Sequence, residues 1–314
     1  MEKDKKITRK NTVRIVGHLK ENLLEKIENS DGVEVIRGSM IISIGESESH
    51  KVQFYVVNKE GSNFADFESL LPENTTTIAG YLKSNPTATF ATACSMATKV
   101  WAMARFDEYA TRVGEREDSM ILLKGFRAGF KVPSEKSPFV PCAEFTCDVY
   151  INDLREELDE DSKPTGRAIL EGILPAYNDN AYKIDFVAPV EDNIAKYILS
   201  NYHVSDTVTI NGDVISLSIQ EQKEDASEEP QFFGRQSSEP QYITKFVRER
   251  RIRGGSATPI SNGSEGSITT EEVKTGLATR EIKMVANGSK RNSNNKTSSP
   301  APQPVKKDLG NFDF

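Results

Sequence analysis

Aromatic and basic side chains alternate with small apolar ones along one predicted strand, Lys99 to Thr111 (KVWAMARFDEYAT). Successive side chains of a strand point to opposite faces of the sheet. One face therefore combines aromatic and basic groups while the other is apolar, namely Trp101, Met103, Arg105 and Tyr109 against Ala102, Ala104 and Phe106. An arginine is costly to bury, which favours the first face as the exposed one. Such a face can stack on nucleobases and attract phosphates.

Weaker versions of this pattern occur elsewhere in the chain. In the next predicted strand, the alternation places Lys124 and Phe126 on one face and Arg127 on the other. Phe54 and Tyr55 are neighbours, so only one of them can face a groove. For each aromatic residue a position in the core remains the alternative. The predicted DNA-binding residues are Lys51, Phe54, Tyr55, Trp101, Arg105, Tyr109, Lys124, Phe126, Arg167, Tyr182 and Lys183.

The charge of the chain limits how it can meet a polyanion. Its 314 residues include 40 Lys+Arg and 47 Asp+Glu, a formal net charge of -7. Residues 221–314 hold 15 basic and 13 acidic residues, which leaves 25 basic and 34 acidic residues in the first 220. The average field of the protein therefore repels nucleic acid. Any such ligand must be held by a local basic patch, and its affinity should depend strongly on salt.

The spacing of apolar residues predicts a mainly β protein with minor helix. From residue 143 to residue 219 it indicates three strands, a helix and a closing pair that turns at Asn211-Gly212. This is the strand order of the five-stranded OB barrel. We predict two OB-like barrels, in residues 1–140, with a long insertion, and in residues 141–220. A β-rich protein without a barrel remains the alternative.

The last third of the chain, residues 221–314, is rich in Ser, Gly, Asn, Pro and Gln. It cannot bury enough apolar surface to offset chain entropy, so we expect a disordered linker. Two segments inside it, Tyr242 to Arg253 and Thr270 to Ala286, are expected to be short helices that form on contact with a partner. The basic stretch from Lys245 to Arg253 would bind nucleic acid or pair with the acidic barrels, and both readings stay open.

Motifs for enzymatic or metal chemistry are missing from the sequence. Cys94, Cys142 and Cys147 form no CxxC pair, and the three histidines lie far apart in the chain. There is no GxxxxGK[ST], GxGxxG after a strand, HExxH or GxSxG motif. We therefore expect no metal, no cofactor and no enzymatic activity. The charged N-terminus and the lack of a long apolar run predict a cytoplasmic protein that does not contact a membrane.

Several segments resemble the OB strands of single-stranded DNA-binding proteins. They are TVRIVGHL near the N-terminus, ILLKGF at Ile121 to Phe126 and VSDTVTINGDV at Val204 to Val214. The C-terminus, DLGNFDF from Asp308 to Phe314, resembles the acidic tip through which bacterial and phage proteins of this family recruit partners. It has two acidic residues and lacks the usual penultimate proline.

The resemblance implies a protein that coats and protects single-stranded DNA during phage replication, recombination or repair in the cytoplasm of a bacterial host. It also implies that replication or recombination proteins bind the tip residues Asp308, Phe312, Asp313 and Phe314. An oligomer is compatible with the sequence, which does not specify the oligomeric state. A disordered tail gains nothing from exposed phenylalanines unless a partner receives them. Two alternatives remain: a virion or assembly component that binds protein only, and a recombination mediator that anneals strands.

Overall fold

A computed structural model describes residues 9–176, 179–222 and 242–295. The expectation of a mainly β fold with minor helix is confirmed. The strands are β1 (Asn11–Asn22), β2 (Glu25–Glu28), β3 (Glu34–Ser43), β4 (Ser49–Val57), β5 (Lys99–Val113), β6 (Arg116–Phe130), β7 (Cys142–Leu158), β8 (Pro164–Ala176), β9 (Asn180–Ala188), β10 (Thr207–Gln222) and β11 (Tyr242–Gly255). The α-helices are α1 (Phe64–Glu68), α2 (Ile78–Ser84), α3 (Phe90–Met96), α4 (Ile194–Asn201) and α5 (Thr270–Asn295).

Strand pairing closes the first five long strands into a ring, which we call the first ring. β1 pairs antiparallel with β3 and with β5, β3 with β4, and β5 with β6. A short parallel pairing of β4 with β6, at Val52↔Leu123 and Gln53↔Lys124, completes the circle. Helices α1, α2 and α3 fill the connection between β4 and β5. This is a Greek-key order in which the third and last strands lie side by side.

The second ring repeats the same order with β7 to β11. β7 pairs with β8 and β10, β8 with β9, and β10 with β11, all antiparallel. A parallel contact between β11 and β9, at Arg251↔Val187, completes this ring. Helix α4 occupies the connection between the third and fourth strands, as the apolar spacing of residues 191–202 predicts.

The predicted turn at Asn211-Gly212 is wrong. β10 runs through both residues as one strand, and the pairing with β11 shifts register there. A Cβ atom at Gly212 would collide with the Arg251 carbonyl, so glycine is needed for a close approach of two strands rather than for a turn. An Asn-Gly pair is compatible with a hairpin turn and with a close approach of two strands, and the local sequence does not distinguish these two roles.

The strand that completes the second ring comes from the tail that was expected to be disordered. β11 is a strand and not the expected short helix, because β10 satisfies its backbone groups from Ile210↔Gly255 to Gln222↔Tyr242. Its Ile252 is buried in the core. The segments 223–241 and 296–314, which include the predicted tip Asp308, Phe312, Asp313 and Phe314, lie outside the described residues.

One core connects the two rings. The ring of Phe106 on β5 packs against Phe145 and Phe186 of the second ring, with centroids 5.9 and 6.4 Å apart. The Tyr182 hydroxyl donates a hydrogen bond of 2.6 Å to the Phe106 carbonyl. The Asn11 side chain also binds the Phe106 backbone, accepting from its N–H and donating to its carbonyl. Aromatic packing and satisfied backbone groups therefore fix the second ring against β5.

Helix α5 was predicted within the tail, and its helical structure is confirmed over a longer range. It packs on β5 and β9 of the same chain, whereas it was expected to form on contact with a partner. Gly276 permits close approach, because a Cβ there would lie 2.5 Å from that of Ala181. Arg280 pairs with Glu108 at 2.6 Å and with Glu117 at 2.8 Å.

None of the helices among the described residues is long and apolar enough to cross a membrane.

We predict that Arg280→Ala lowers the free energy of unfolding by about 3 kcal/mol, the usual loss when one partner of a buried ion pair is removed. The carboxylate of Glu108, which is 4% exposed, would be left without its guanidinium. Denaturant unfolding followed by circular dichroism measures the change. Lys274→Ala, at an exposed position of the same helix, is the control. Equal stability of the two variants would show that the ion pair does not hold α5.

Candidate nucleic-acid interface

The two faces predicted for β5 are confirmed by burial. Ala102, Ala104 and Phe106 are buried, whereas Trp101 and Arg105 are half-buried on the outer face. The outer face continues to Tyr109, Met103 and Asp107. The same alternation shapes β4, where Val52, Phe54 and Val56 point inward and Lys51, Gln53 and Tyr55 are exposed. Period-two hydrophobicity therefore decides which side chains reach solvent on both strands.

A β-bulge in β6 changes the expected arrangement of its basic residues. Met103 pairs with Arg127 and Ala104 pairs with Gly125, so Phe126 is one extra residue on β6. Lys124 pairs with Arg105, two positions along β5 from Met103. Lys124 and Arg127 therefore both lie beside outward positions of β5. The prediction that they point to opposite faces is wrong, because the bulge adds one residue between them.

Buried contacts beneath the bulge hold it in place. Gly125 lies directly over the ring of Phe54, which a Cβ atom at this position would overlap. The Phe54 ring in turn packs on Phe67 of α1, with centroids 4.9 Å apart. From the loop before α1, the Asn63 amide donates a hydrogen bond of 2.8 Å to the Phe126 carbonyl. Phe54 is therefore a core residue, and its predicted role as a stacking platform is wrong.

Beside the bulge, a groove of about 620 Å³ opens on the outside of the first ring. Two aromatic side chains in its lining, Tyr55 and Phe126, are 56% and 43% exposed. The full lining is Tyr55, Val56, Val57, Lys59, Gly61, Ser62, Asn63, Asp66, Arg105, Lys124, Gly125, Phe126 and Arg127. The aromatic side chains of Tyr55 and Phe126 are thus exposed to solvent among four cationic side chains and one carboxylate. We call this site the groove.

The cations of the groove are largely available to an external anion. Lys124 has Asp107 within 3.3 Å, and both groups remain partly exposed. Within the part of the chain that the structure describes, no ion pair of 4 Å or less joins Lys59, Arg105 or Arg127 to an acidic group. A surface pair such as Lys124–Asp107 contributes little in water, so a phosphate can compete for the ammonium.

The groove gathers four of the residues predicted from the sequence: Tyr55, Arg105, Lys124 and Phe126. Lys59 and Asn63 were not predicted, since they lie in the loop after β4, where no periodic pattern indicates the direction of a side chain. Arg127 was assigned to the wrong face, and the signal that could have corrected this is Gly125, because a glycine inside a strand pattern can mark a bulge.

Three further predicted residues lie on the same outer surface but not in the lining of the groove. Trp101 lies over Gly129 of β6, where a Cβ atom would come within 3.0 Å of the indole nitrogen. Tyr109 is 49% exposed and pairs across the strands with Met120, which is also exposed. Lys51 is exposed on β4 on the same side as Tyr55. They extend an aromatic and basic surface beyond the groove.

In the second ring, Tyr182 does not lie on a binding surface. It is fully buried, its hydroxyl is hydrogen-bonded to the Phe106 carbonyl, and burial raises its pKa. An aromatic side chain without solvent contact cannot stack on a base, so the predicted DNA-binding role of Tyr182 is wrong. Tyr182 belongs to β9, at the junction of the rings, and does not line the groove.

The basic candidates of the second ring already have acidic partners. Arg167 lies 3.0 Å from Glu157 and 2.8 Å from Glu249. Lys183 lies 2.9 Å from Glu171. Arg167 is partly buried and compensated by two carboxylates, so it does not offer the free cation that phosphate binding requires. The Lys183–Glu171 pair is as exposed as the Lys124–Asp107 pair, so a phosphate can compete for the Lys183 ammonium as well. The groove of the first ring, which combines four cations with two exposed aromatic side chains, is the better candidate site.

Comparison with known proteins gives one family and several similar structures. A family model described as YorF matches residues 10–288. No curated protein sequence matches the chain at a significant level. The wild-type single-stranded DNA binding protein from Thermus aquaticus is similar, with a TM-score of 0.43 and 10% identity over 83% of this chain and 98% of that one. A deletion mutant of the same protein has the same TM-score and identity, covering 82% and 98%.

A Replication Protein A heterotrimer bound to ssDNA is also among the similar structures. Its TM-score is 0.18 and its identity 13%, over 70% of this chain and 49% of that chain. Among the described residues, no group of three or more His, Cys, Asp and Glu side chains could hold a metal ion.

We predict that Gly125→Ala destabilises the protein by about 1–3 kcal/mol, the usual effect of overpacking a core. The added methyl group overlaps the ring of Phe54, which is itself held by Phe67. Thermal and denaturant unfolding measure the effect. Gly45→Ala is the matched control, because a Cβ there would meet only the Glu48 Cβ, at 4.0 Å. If both variants unfold alike, Gly125 is not required by the packing beneath the bulge.

Proposed function

The chain belongs to the YorF family, and we propose that it binds single-stranded DNA without catalysing a reaction on it. The observation that carries the proposal is the groove, where exposed Tyr55 and Phe126 stand among Arg105, Lys124 and Arg127. Aromatic faces for bases and cations for phosphates are the two elements that sequence-independent binding of single strands needs.

Each element of the groove has a separate role in this proposal. Tyr55 and Phe126 stack on unpaired bases, which a duplex keeps inside its own stack. Arg105, Lys124 and Arg127 neutralise phosphates and release the counterions that surround them. Asn63 keeps Phe126 in place through its hydrogen bond to the bulge carbonyl. Trp101 and Tyr109 extend the contact along β5 as further stacking platforms.

The acidic balance of the chain supports a confined binding surface. With a net charge of -7, the protein repels DNA except where cations are concentrated. We infer that it coats single strands during DNA replication, recombination or repair in the cytoplasm of a bacterial host. Of a host and a phage protein, we favour a protein encoded by a phage. The tip residues Asp308, Phe312, Asp313 and Phe314 would then recruit partner proteins, and oligomers remain compatible with this role.

We predict that Tyr55→Ala and Phe126→Ala each weaken binding of oligo(dT) by about 1–3 kcal/mol, the contribution of one base stack. Fluorescence anisotropy of a labelled oligonucleotide measures the affinity. Tyr197→Ala is the control, because it removes a similarly exposed aromatic side chain from α4, outside the groove. This variant should leave the affinity unchanged.

A duplex of the same length is the second comparison in this experiment. The wild-type protein should prefer the single strand at moderate salt, since only unpaired bases can stack. Equal affinity for the two forms would contradict the proposed function. Preference for the single strand with no loss in either alanine variant would move the binding site away from the groove.

The salt dependence of binding should report the phosphate contacts. Each phosphate neutralised on a single strand contributes about -0.7 to the slope of log K against log salt. We predict that Arg105→Gln makes this slope shallower by about 0.7, because one contact is lost. The fluorescence of Trp101, the single tryptophan, follows the titration since it lies on the same face as Arg105.

Arg155→Gln serves as the control for the salt experiment, because Arg155 is an exposed arginine of the second ring that does not line the groove. The slope of this variant should equal that of the wild type. A Trp101 signal that stays flat with oligo(dT), together with no binding by anisotropy, would favour the alternative of a component that binds protein only.

A further inference from the structure

We propose that a second DNA contact lies on a two-stranded arm of the second ring, with Phe246 stacking on a base and Arg248 binding phosphate. The arm consists of residues 214–222 of β10 and residues 242–250 of β11. The inference rests on the proposed function, since it extends the path of the same single strand. Phe246 and Arg248 both lie in the part of the chain that was expected to be a disordered linker.

The arm extends beyond its own ring and rests on the first. β10 pairs with β7 only as far as Asp213↔Glu144, whereas its pairing with β11 continues to Gln222↔Tyr242. The extended part touches the turn between β3 and β4, where the Ser218 N–H donates to the Ser47 carbonyl at 2.8 Å. A β-bridge joins Glu48 to Leu217 at the same point. The arm is therefore tied to the ring that carries the groove.

Most of the basic residues of β11 have internal partners. Arg250 lies over the Phe106 ring, 5.5 Å from its centroid. Arg251 pairs with Glu249 at 3.1 Å, and Arg253 pairs with Glu144 at 2.8 Å. Of these contacts, the one from Arg253 to Glu144 fits the interpretation in which this basic stretch pairs with acidic side chains of the rest of the protein. These contacts do not involve Arg248.

Phe246 and Arg248 remain exposed at the outer end of the strand. The Phe246 side chain is 66% exposed, more than Tyr55 or Phe126 in the groove. Two positions along the same strand, Arg248 shares its face and is also exposed. Across the strands they pair with Ser218 and Ser216, which are too small to cover them. An exposed ring beside a guanidinium has the same composition as the groove.

β4 connects the groove to the arm. Tyr55 lies in the groove, and Gln53 and Lys51 follow it on the exposed face of the strand. The strand begins at Ser49, next to Glu48, which contacts the arm. From Tyr55 to Ser49 the distance along the strand is roughly 20 Å at about 3.3 Å per residue. A single strand that fills the groove and follows β4 past Lys51 would thus reach the arm.

The test compares oligo(dT) of about 6 nucleotides, within the roughly 4–16 nucleotides that one OB fold occupies, with oligo(dT) of about 25 nucleotides, beyond that range. Phe246→Ala should weaken binding of the long oligonucleotide about 5- to 150-fold, as expected for one base stack, and leave the short one unchanged. Phe126→Ala should weaken both. Ile219→Ala, which removes a partly exposed side chain from the opposite face of the arm, is the matched control.

The outcomes separate this proposal from the proposed function. If the wild type binds neither oligonucleotide, the proposed function itself fails. If it binds both and Phe246→Ala changes neither affinity, the groove stands and the arm proposal is overturned. The same holds if Phe246→Ala alters the mass of the protein by sedimentation without DNA, because Phe246 would then lie in a contact between copies of the chain.

Discussion

β1 is hydrogen-bonded along both of its edges, and both rings depend on it. Residues Val13 to His18 pair with β5 on one side, and Asn11 to Val16 pair with β7 on the other. Beyond this point the strand turns to β3 and closes the first ring. A strand shared in this way leaves no free edge between the rings and fixes their relative position through backbone groups that must be satisfied. The contacts of Phe106 with the second ring strengthen the same junction.

The closure of the first ring gives the groove its shape. Because β4 and β6 are brought together at the closing point of the first ring, Tyr55 and Phe126 come from distant parts of the sequence and line one site. The bulge then turns Phe126 outward and places Arg127 near Lys124. Phe54 and Gly125 lie beneath, so the apolar core and the exposed surface are two sides of the same strands.

Local patterns predicted much of the fold and part of the site. The alternation in β5 correctly separated Trp101 and Arg105 from the buried Ala102 and Ala104, because solvent exposure of a strand residue follows its parity. Helical spacing located α4 and the start of α5. The same reasoning failed for Phe54 and Tyr182, since parity cannot tell which face of a strand meets another layer of the protein.

The sequence by itself determined the strand periodicity, the net acidity that confines any DNA to a local patch, and four residues of the groove. Tertiary structure alone decided how they meet. β11 became a strand only because β10 offers it hydrogen-bond partners, and Arg127 joined Lys124 only because a bulge lies between them. Both results depend on pairing between segments far apart in the chain, and such pairing leaves no periodic signal within either segment.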